Sequence, residues 1–360
     1  MPERYRAREL GIAPGRFAPG RLNAITDVVG LRVGQVTLRE GERIRTGATA
    51  ILAHGGNLYQ DKVPAGFAVM NGFGKFAGST QIVELGEIET PIILTNTLAV
   101  GRAIEAVNRW TLSQQGNEQV VSVNAVVGET NDSRLNDIRA GYPTIDHILG
   151  AIAAAKPGPV EEGAVGAGTG TVAFSYKGGI GTSSRLLPPK QGGFTVGVLV
   201  QSNYGGQLRI DGRSFAEIQP PVTLSGPVDA DGSIVMIIAT DAPLSDRNLR
   251  RLAERAFAGL ARTGSALSNG SGDYAVAFST AESARRIAAR RAAVAAIEDL
   301  PNDRLSPLFE AVIEASEEAI LNSLFMAETT TGWDAARERT STVDALPLER
   351  LQKRRGGDRS

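Results

Sequence analysis

Two short runs constrain the fold of this chain more than any other feature. "FTVGVLVQSNYGG" (194–206) and "SIVMIIATDAP" (233–243) are apolar almost without interruption, where a half-exposed strand would alternate with polar residues. A strand of this kind has no face fit for water and belongs in a sheet covered on both sides, so the chain must build layers. Its 360 residues exceed the ~100–200 usual for one domain. No linker or internal repeat divides it, so residues 1–360 read as a single layered domain. Glycine agrees with close packing: 42 of 360 residues, about 12% against a typical ~7%, are spread without period, as tight turns and close backbone approaches require.

The remaining segments supply strands and helices in mixed order. Residues 1–22 are basic and carry Pro and Gly, which predicts an irregular packed arm. Strands are expected in "LNAITDVVGLRVGQVTL" (22–38), "GATAILA" (47–53), "ETPIILTNT" (89–97), "QVVSVNAVVGET" (119–130) and "DYAVAFST" (273–280). "LAVGRAIEAVNRW" (98–110) has helical spacing at Leu98, Ala103, Ile104 and Val107, and "TIDHILGAIAAAK" (144–156) starts behind Thr144, a good N-cap. A hairpin is expected inside the glycine-rich stretch 158–185. Beyond Pro243, Leu249, Leu252, Ala256 and Leu260 share a helical face behind Ser245, a second cap. "AESARRIAARRAAVAAIED" (281–299) and "SPLFEAVIEASEEAILNSLFMA" (306–327) read as two more helices, the second with Phe309, Val312, Ile313, Ser316, Ala319, Ile320 and Ser323 inward. The last twenty or so residues read as a solvated tail. The expected class is α+β, with strands sandwiched between helices.

Composition narrows the function. Apolar residues at 42%, charged residues at 21% and a formal net charge of -1 give no electrostatic reason for a nucleic-acid or membrane-surface partner. The start, "MPERYRAREL", lacks the apolar segment of an export signal, and no apolar run reaches membrane-spanning length, so the expected location is the cytoplasm. The absence of cysteine excludes a disulfide framework, thiolate metal sites and cysteine nucleophiles. The two histidines, His54 and His147, have no G-x-S-x-G elbow to serve and no partners for a metal site, and read as structural. The glycines of 166–185 lack the strand–loop–helix context of a dinucleotide site and the spacing of a P-loop, and read as turns.

Ser233 stands at the mouth of a buried strand, directly after Gly232 in "DADGSIVMIIATDAP" (229–243). A serine can act without histidine if its own α-amine, titrating near ~7.7–8.0, accepts the hydroxyl proton. That requires a cut just before it, and Gly232 supplies the backbone freedom for Oγ to attack the preceding carbonyl. On local grounds a serine that merely ends a turn remains the simpler reading. "SNGSGDYAVAFST" (268–280) puts Ser271 two residues before Asp273, either as a hairpin turn or as a relay that polarises an amine. Glu129, in "VVGETNDSRLNDI" (126–138), is either a capping acid or an anchor for a cationic substrate group.

Taken in order, "ITDVVGLRVGQVTL", "GETNDSRLNDI", "YKGGIGTSSR", "GVLVQSNYGG", "GSIVMIIATDAPL" and "NGSGDYAVAFST" resemble the self-processing aminopeptidases typified by L-aminopeptidase/D-amidase/D-esterase and the β-peptidyl aminopeptidases. The resemblance spans roughly 20–330. It implies a four-layer αββα sandwich, N-terminal-nucleophile-like with ornithine acetyltransferase-type topology. It also implies autocleavage between Gly232 and Ser233 into chains 1–232 and 233–360. Ser233 would then be the nucleophile, Asn203 the oxyanion-hole amide, and Ser271 and Asp273 the hydroxyl and acid that assist. Asp273 stands where the family often has the longer glutamate. Glu129 would meet the substrate's free amine, and Asn131, where some members carry an aromatic residue, would shape the substrate pocket. The implied activity is removal of N-terminal residues from peptides, amides or esters through an acyl-enzyme, without metal or organic cofactor, in a tetramer of cleaved protomers. Two rivals remain open: an acyl transferase in the ornithine acetyltransferase manner, and an uncleaved, non-enzymatic binding protein of the same fold.

Overall fold

Strands buried on both faces need one layer on each side, and the chain supplies both from its own sheets and helices. The computed structural model describes residues 3–215, 232–349 and 351. The first half carries β1 (Arg32–Glu40), β2 (Ile44–Leu52), β3 (Asp61–Gly72), β4 (Phe76–Ala77), α1 (Ser79–Leu85), β5 (Glu87–Ile88), β6 (Ile92–Asn96), α2 (Val100–Leu112), β7 (Val126–Thr130) and α3 (Ile145–Ala153). Then come β8 (Val172–Ala173), β9 (Tyr176–Lys177), β10 (Gly179–Leu186), β11 (Thr195–Asn203), β12 (Arg209–Ile210) and β13 (Arg213–Ser214). The last part holds β14 (Ser233–Thr240), α4 (Asp246–Arg262), β15 (Gly272–Ser279), β16 (Arg286–Ile287), α5 (Ala288–Arg291), α6 (Ser306–Phe325), β17 (Thr330–Asp334) and β18 (Arg339–Val343).

One sheet runs β1-β2-β6-β7-β4; the other runs β10-β11-β14-β15-β3-β16, with β5 beside β3. Each has a parallel pair inside it, β6 with β7 and β14 with β15, in otherwise antiparallel ladders. Helices α4 and α6 pack on the larger sheet, α2 and α3 on the smaller, and β14 faces β7 between them, giving the αββα order. The side-chain period of two explains the apolar runs. Along β14, Ile234, Met236 and Ile238 join the core beneath α4 and α6, whereas Val235, Ile237 and Ala239 join the core between the sheets.

Several expectations need correction. The helix expected at 281–299 is a 3-10 turn (Glu282–Ala284), β16 and the four-residue α5, followed by exposed irregular chain in which Val294 is fully exposed. Its alanines and arginines favour a helix, but without an apolar face to bury a short helix gains no tertiary stabilisation. Strand is confined to Val126–Thr130 within 119–130, and begins only at Arg32 within 22–38, where Ile25–Asp27 forms a 3-10 turn. Leu98 is exposed, because Asn96 caps a 3-10 turn before α2 through a bond from the Leu98 N–H at 3.1 Å. Strand β3 went unforeseen because Pro64 and Gly66 interrupt its pattern. A Cβ at Gly66 would lie 2.5 Å from the Arg250 Cα, so this glycine lets α4 cross the sheet closely. Thr144 caps α3 as expected, but Ser245, at the start of α4, gives its hydroxyl to Asp299 at 2.9 Å instead. In the glycine-rich stretch the expected hairpin is β8–β9.

Helix α6 departs from a one-faced stripe: Phe309 and Ile313 are only half-buried, whereas every residue from Glu314 to Phe325 is buried. Glu314 and Glu318 tolerate this because Arg185, itself wholly buried, bonds them at 3.1 and 2.8 Å. Arg8 of the N-terminal arm adds a second bond to Glu318 at 2.9 Å. Burial of a carboxylate is permitted only with such pairing. The expected packed arm is therefore present, with Leu10 and Phe17 in the core. The expectation of a solvated tail over the last twenty or so residues does not hold for Val343, Leu346, Leu348 and Leu351, which are buried; residues 352–360 lie outside the described residues, as does the turn 229–231 ahead of Gly232.

Candidate active site

The register of the larger sheet builds the site at one end of β14. Ser233, the first residue of that strand, lies opposite Asn203, the last of β11, and opposite Gly272, the first of β15. The Gly272 N–H donates to Ser233 Oγ at 3.2 Å and to the Gly232 carbonyl at 3.1 Å. At Gly232 a Cβ would come within 2.5 Å of the Tyr204 Cα, so only glycine fits against the end of β11. Asn203 accepts the Val172 N–H on Oδ1 at 2.9 Å, which leaves its amide nitrogen as the end that can donate. A cleft of about 350 Å³ is lined by Gly232, Ser233, Asn203, Glu129 and Asn131 among others. That size suits a small ligand.

Ser271 and Asp273 are beside this cleft rather than in its lining. Ser271 Oγ donates to Asp273 Oδ1 at 2.6 Å, both side chains are buried, and Asp273 Oδ2 has no hydrogen-bond partner among the described residues. Burial raises the Asp273 pKa, and the Ser271 hydrogen bond works against that rise. The segment is not a hairpin turn, since β15 runs parallel to β14. Its loop is held by Asn71, whose Nδ2 donates to the carbonyls of Ser268 at 3.1 Å and Asn269 at 3.0 Å, and to that of Ser271.

Glu129 comes from the other sheet, near the end of β7. It is buried, with Oε1 accepting the Lys75 N–H at 2.9 Å and Oε2 accepting the Thr97 hydroxyl. Burial, and after it the nearby Glu129 and Asp273, raise the Tyr274 pKa, so its phenol stays protonated. Asn131 is exposed at the cleft, its Oδ1 taking the Ser133 N–H at 3.0 Å. The next residue, Asp132, is wholly buried, and burial pushes its pKa up to about 6.

Lys177, in "YKGGIGTSSR", is a residue of the site region that no local pattern singles out. Its ammonium is wholly buried and donates to three main-chain carbonyls, those of Gly168 at 2.8 Å, Thr171 at 2.8 Å and Gly178 at 2.7 Å. It thereby ties together the turn that presents Val172 to Asn203. Burial lowers the Lys177 pKa well below the ordinary lysine value. The signal was an unpaired lysine among glycines, and it is legible only once the loop is closed. Both histidines are engaged structurally: His54 Nε2 meets the Asp61 carbonyl at 2.7 Å, and His147 Nδ1 accepts the Thr144 N–H at 3.2 Å.

An αββα sandwich of this order is the architecture of the N-terminal-nucleophile hydrolase fold, and solved structures agree. The L-aminopeptidase D-Ala-esterase/amidase from Ochrobactrum anthropi, described as a prototype for the serine aminopeptidases and a variant of that fold, superposes with a TM-score of 0.87. It is 35% identical, over 98% of this chain and 99% of that one. A β-aminopeptidase from Burkholderia sp. gives a TM-score of 0.87 at 40% identity over 97% and 98% of the two chains. In sequence, the β-peptidyl aminopeptidase BapA of Sphingosinicella microcystinivorans is 41% identical over 96% of this chain and 91% of that protein. Residues 23–338 match the model of peptidase family S58, and the chain belongs to that family. It is a hydrolase with aminopeptidase activity. Among the described residues no helix is long and apolar enough to cross a membrane.

Proposed function

We propose that the chain, one layered domain, cuts itself between Gly232 and Ser233, and that Ser233 then serves as the N-terminal nucleophile of a serine aminopeptidase and amidase. The observation that carries this reading is the single Gly272 N–H shared by Ser233 Oγ and the Gly232 carbonyl. Attack of Oγ on the Gly232 carbonyl carbon forms a tetrahedral centre whose oxyanion keeps that hydrogen bond. Collapse breaks the C–N bond, passes a proton to the nitrogen and leaves an ester, which water hydrolyses. Chain 1–232 then ends in a carboxylate and chain 233–360 begins with a free amine.

In turnover this amine takes the Oγ proton as Oγ attacks the substrate carbonyl. Asn203 donates its amide N–H to the oxyanion, and the departing amine recovers the proton before water releases the acyl part. Ser271 and Asp273 hold and polarise the new amine, for which the unoccupied Asp273 Oδ2 is available. Glu129 receives the substrate's ammonium, and Asn131 bounds its side-chain space. A β-aminoacyl substrate is favoured by the likeness to the Sphingosinicella microcystinivorans and Burkholderia sp. enzymes, which are more similar in sequence than the L-aminopeptidase D-Ala-esterase/amidase. The two chains stay together because β14 and β15 of the second are bracketed by β11 and β3 of the first, and because Arg185 of the first bonds Glu314 and Glu318 of the second. A cytoplasmic tetramer of cleaved protomers completes the reading.

Two kinetic tests bear on the roles. Asn203→Ala should lower kcat about 10²–10³-fold with little change in KM, because the amide acts on charge that develops in the transition state; a loss confined to KM would remove Asn203 from the oxyanion hole. With Glu129 meeting an ammonium, a peptide p-nitroanilide with a free amine should be cleaved about 10–100-fold more efficiently than its N-acetylated form. Equal rates on the two would take that role from Glu129.

A further inference from the structure

The rim of the cleft carries charge that the reaction so far leaves unused. Lys75 and Arg134 both line it, both are exposed, and neither forms an ion pair with a described carboxylate. They come from different elements: Lys75 follows the end of β3, and Arg134 lies in the loop after β7. The one carboxylate of the lining is Glu129, whose two oxygens already accept the Lys75 N–H and the Thr97 hydroxyl. The lining therefore holds two side-chain cations against one anion. A substrate bringing only an ammonium would add a third positive charge to a small cleft, an arrangement that a negative group on the substrate would relieve.

We propose that Lys75 and Arg134 form a carboxylate subsite, so that the preferred substrate is a short zwitterionic peptide whose ammonium meets Glu129 and whose carboxylate meets these two cations. This rests on the reading of Glu129 above. Lys75 and Arg134 line the same cleft of about 350 Å³ as Ser233 and Glu129, so a dipeptide lying in it can present its ammonium to one side and its free C-terminus to the other. The same chemistry can come from an acidic N-terminal side chain, and the two sources are separable. Because both cations are exposed, their effect is screened by salt and modest.

The test uses the processed protein and three matched pairs at low ionic strength: β-alanyl-leucine against β-alanyl-leucinamide, alanyl-leucine against alanyl-leucinamide, and aspartyl against asparaginyl p-nitroanilide. A C-terminal subsite predicts that the free acids exceed the amides about 5–10-fold in kcat/KM, with most of the difference in KM and a decline toward parity in high salt. A side-chain subsite predicts the same factor in the p-nitroanilide pair only. The double variant Lys75→Met, Arg134→Gln keeps the Lys75 main-chain bond to Glu129, and should bring the favoured pair to a ratio near 1 while amide turnover persists. Ratios near 1 in the unaltered protein, or a preference that survives the double variant, overturn the subsite and leave the aminopeptidase reading standing. No turnover of any free-amine substrate overturns both.

Discussion

Ser233→Ala is expected to yield a single chain of 37.8 kDa, whereas the unaltered protein yields fragments of roughly 24 and 13 kDa, its mass divided in proportion to 232 and 128 residues. In the proposed mechanism one oxygen attacks both the Gly232 carbonyl and the substrate, and the alanine lacks it, so processing and turnover should fail together. A fall in kcat/KM of about 10⁴-fold or more is expected, the scale on which loss of a serine nucleophile is felt. Folding should survive, because Ser233 Oγ takes part in one described hydrogen bond, from the Gly272 N–H, and that donor keeps the Gly232 carbonyl. A denaturing gel and N-terminal sequencing settle the matter: the small fragment must begin Ser-Ile-Val. An unaltered protein that stays one band on long incubation sinks the self-processing reading and favours a binding protein of this fold.

Lys177→Met should produce the second largest effect, this time on stability. Methionine matches the lysine stem in length but cannot donate, so the carbonyls of Gly168, Thr171 and Gly178 lose their shared partner in a water-poor interior. An unsatisfied buried polar group costs ~1–3 kcal/mol; because the Gly168 carbonyl keeps the Thr171 hydroxyl at 3.0 Å and the Thr171 carbonyl keeps the Gly178 N–H at 3.1 Å, a total loss of about 2–4 kcal/mol is expected. The measurement belongs in the uncut Ser233→Ala background, where one chain can unfold in a single step. The loosened turn also frees Val172, the residue that orients Asn203. In the processed enzyme, therefore, kcat should fall together with stability. A stability loss below about 1 kcal/mol would mean that water replaces the ammonium at those carbonyls.

Much of the fold could be read before any contact was known. The apolar runs at β11 and β14 required two-sided cover, Thr144 marked the start of α3, and the stripe Leu249, Leu252, Ala256, Leu260 marked the buried face of α4. Each is a local signal, carried by neighbours within a turn or two of chain. The failures were also local in origin: 281–299 has helix-forming composition but nothing to pack against, and β3 hides its strand character behind a proline and a glycine that α4 needs. The buried Glu314 and Glu318 could not be foreseen on α6, because the arginine that permits them lies on β10.

The candidate site divides in the same way. Residue types and motif order nominated Gly232, Ser233, Asn203, Ser271, Asp273, Glu129 and Asn131 as candidates. Their mutual positions were not encoded in any short stretch. The Gly272 N–H reaches Ser233 across 39 residues of chain through the parallel pairing of β14 and β15, and Glu129 enters from a different sheet. Sequence by itself determined which groups are present and that the strand beneath them must be buried, since both follow from side-chain chemistry and local period. Only the tertiary structure decided that one amide faces both Ser233 Oγ and the Gly232 carbonyl, that Lys177 braces the turn beside Asn203, and that Lys75 and Arg134 share the cleft rim. Strand register and sheet stacking set those distances, and both are products of long-range packing.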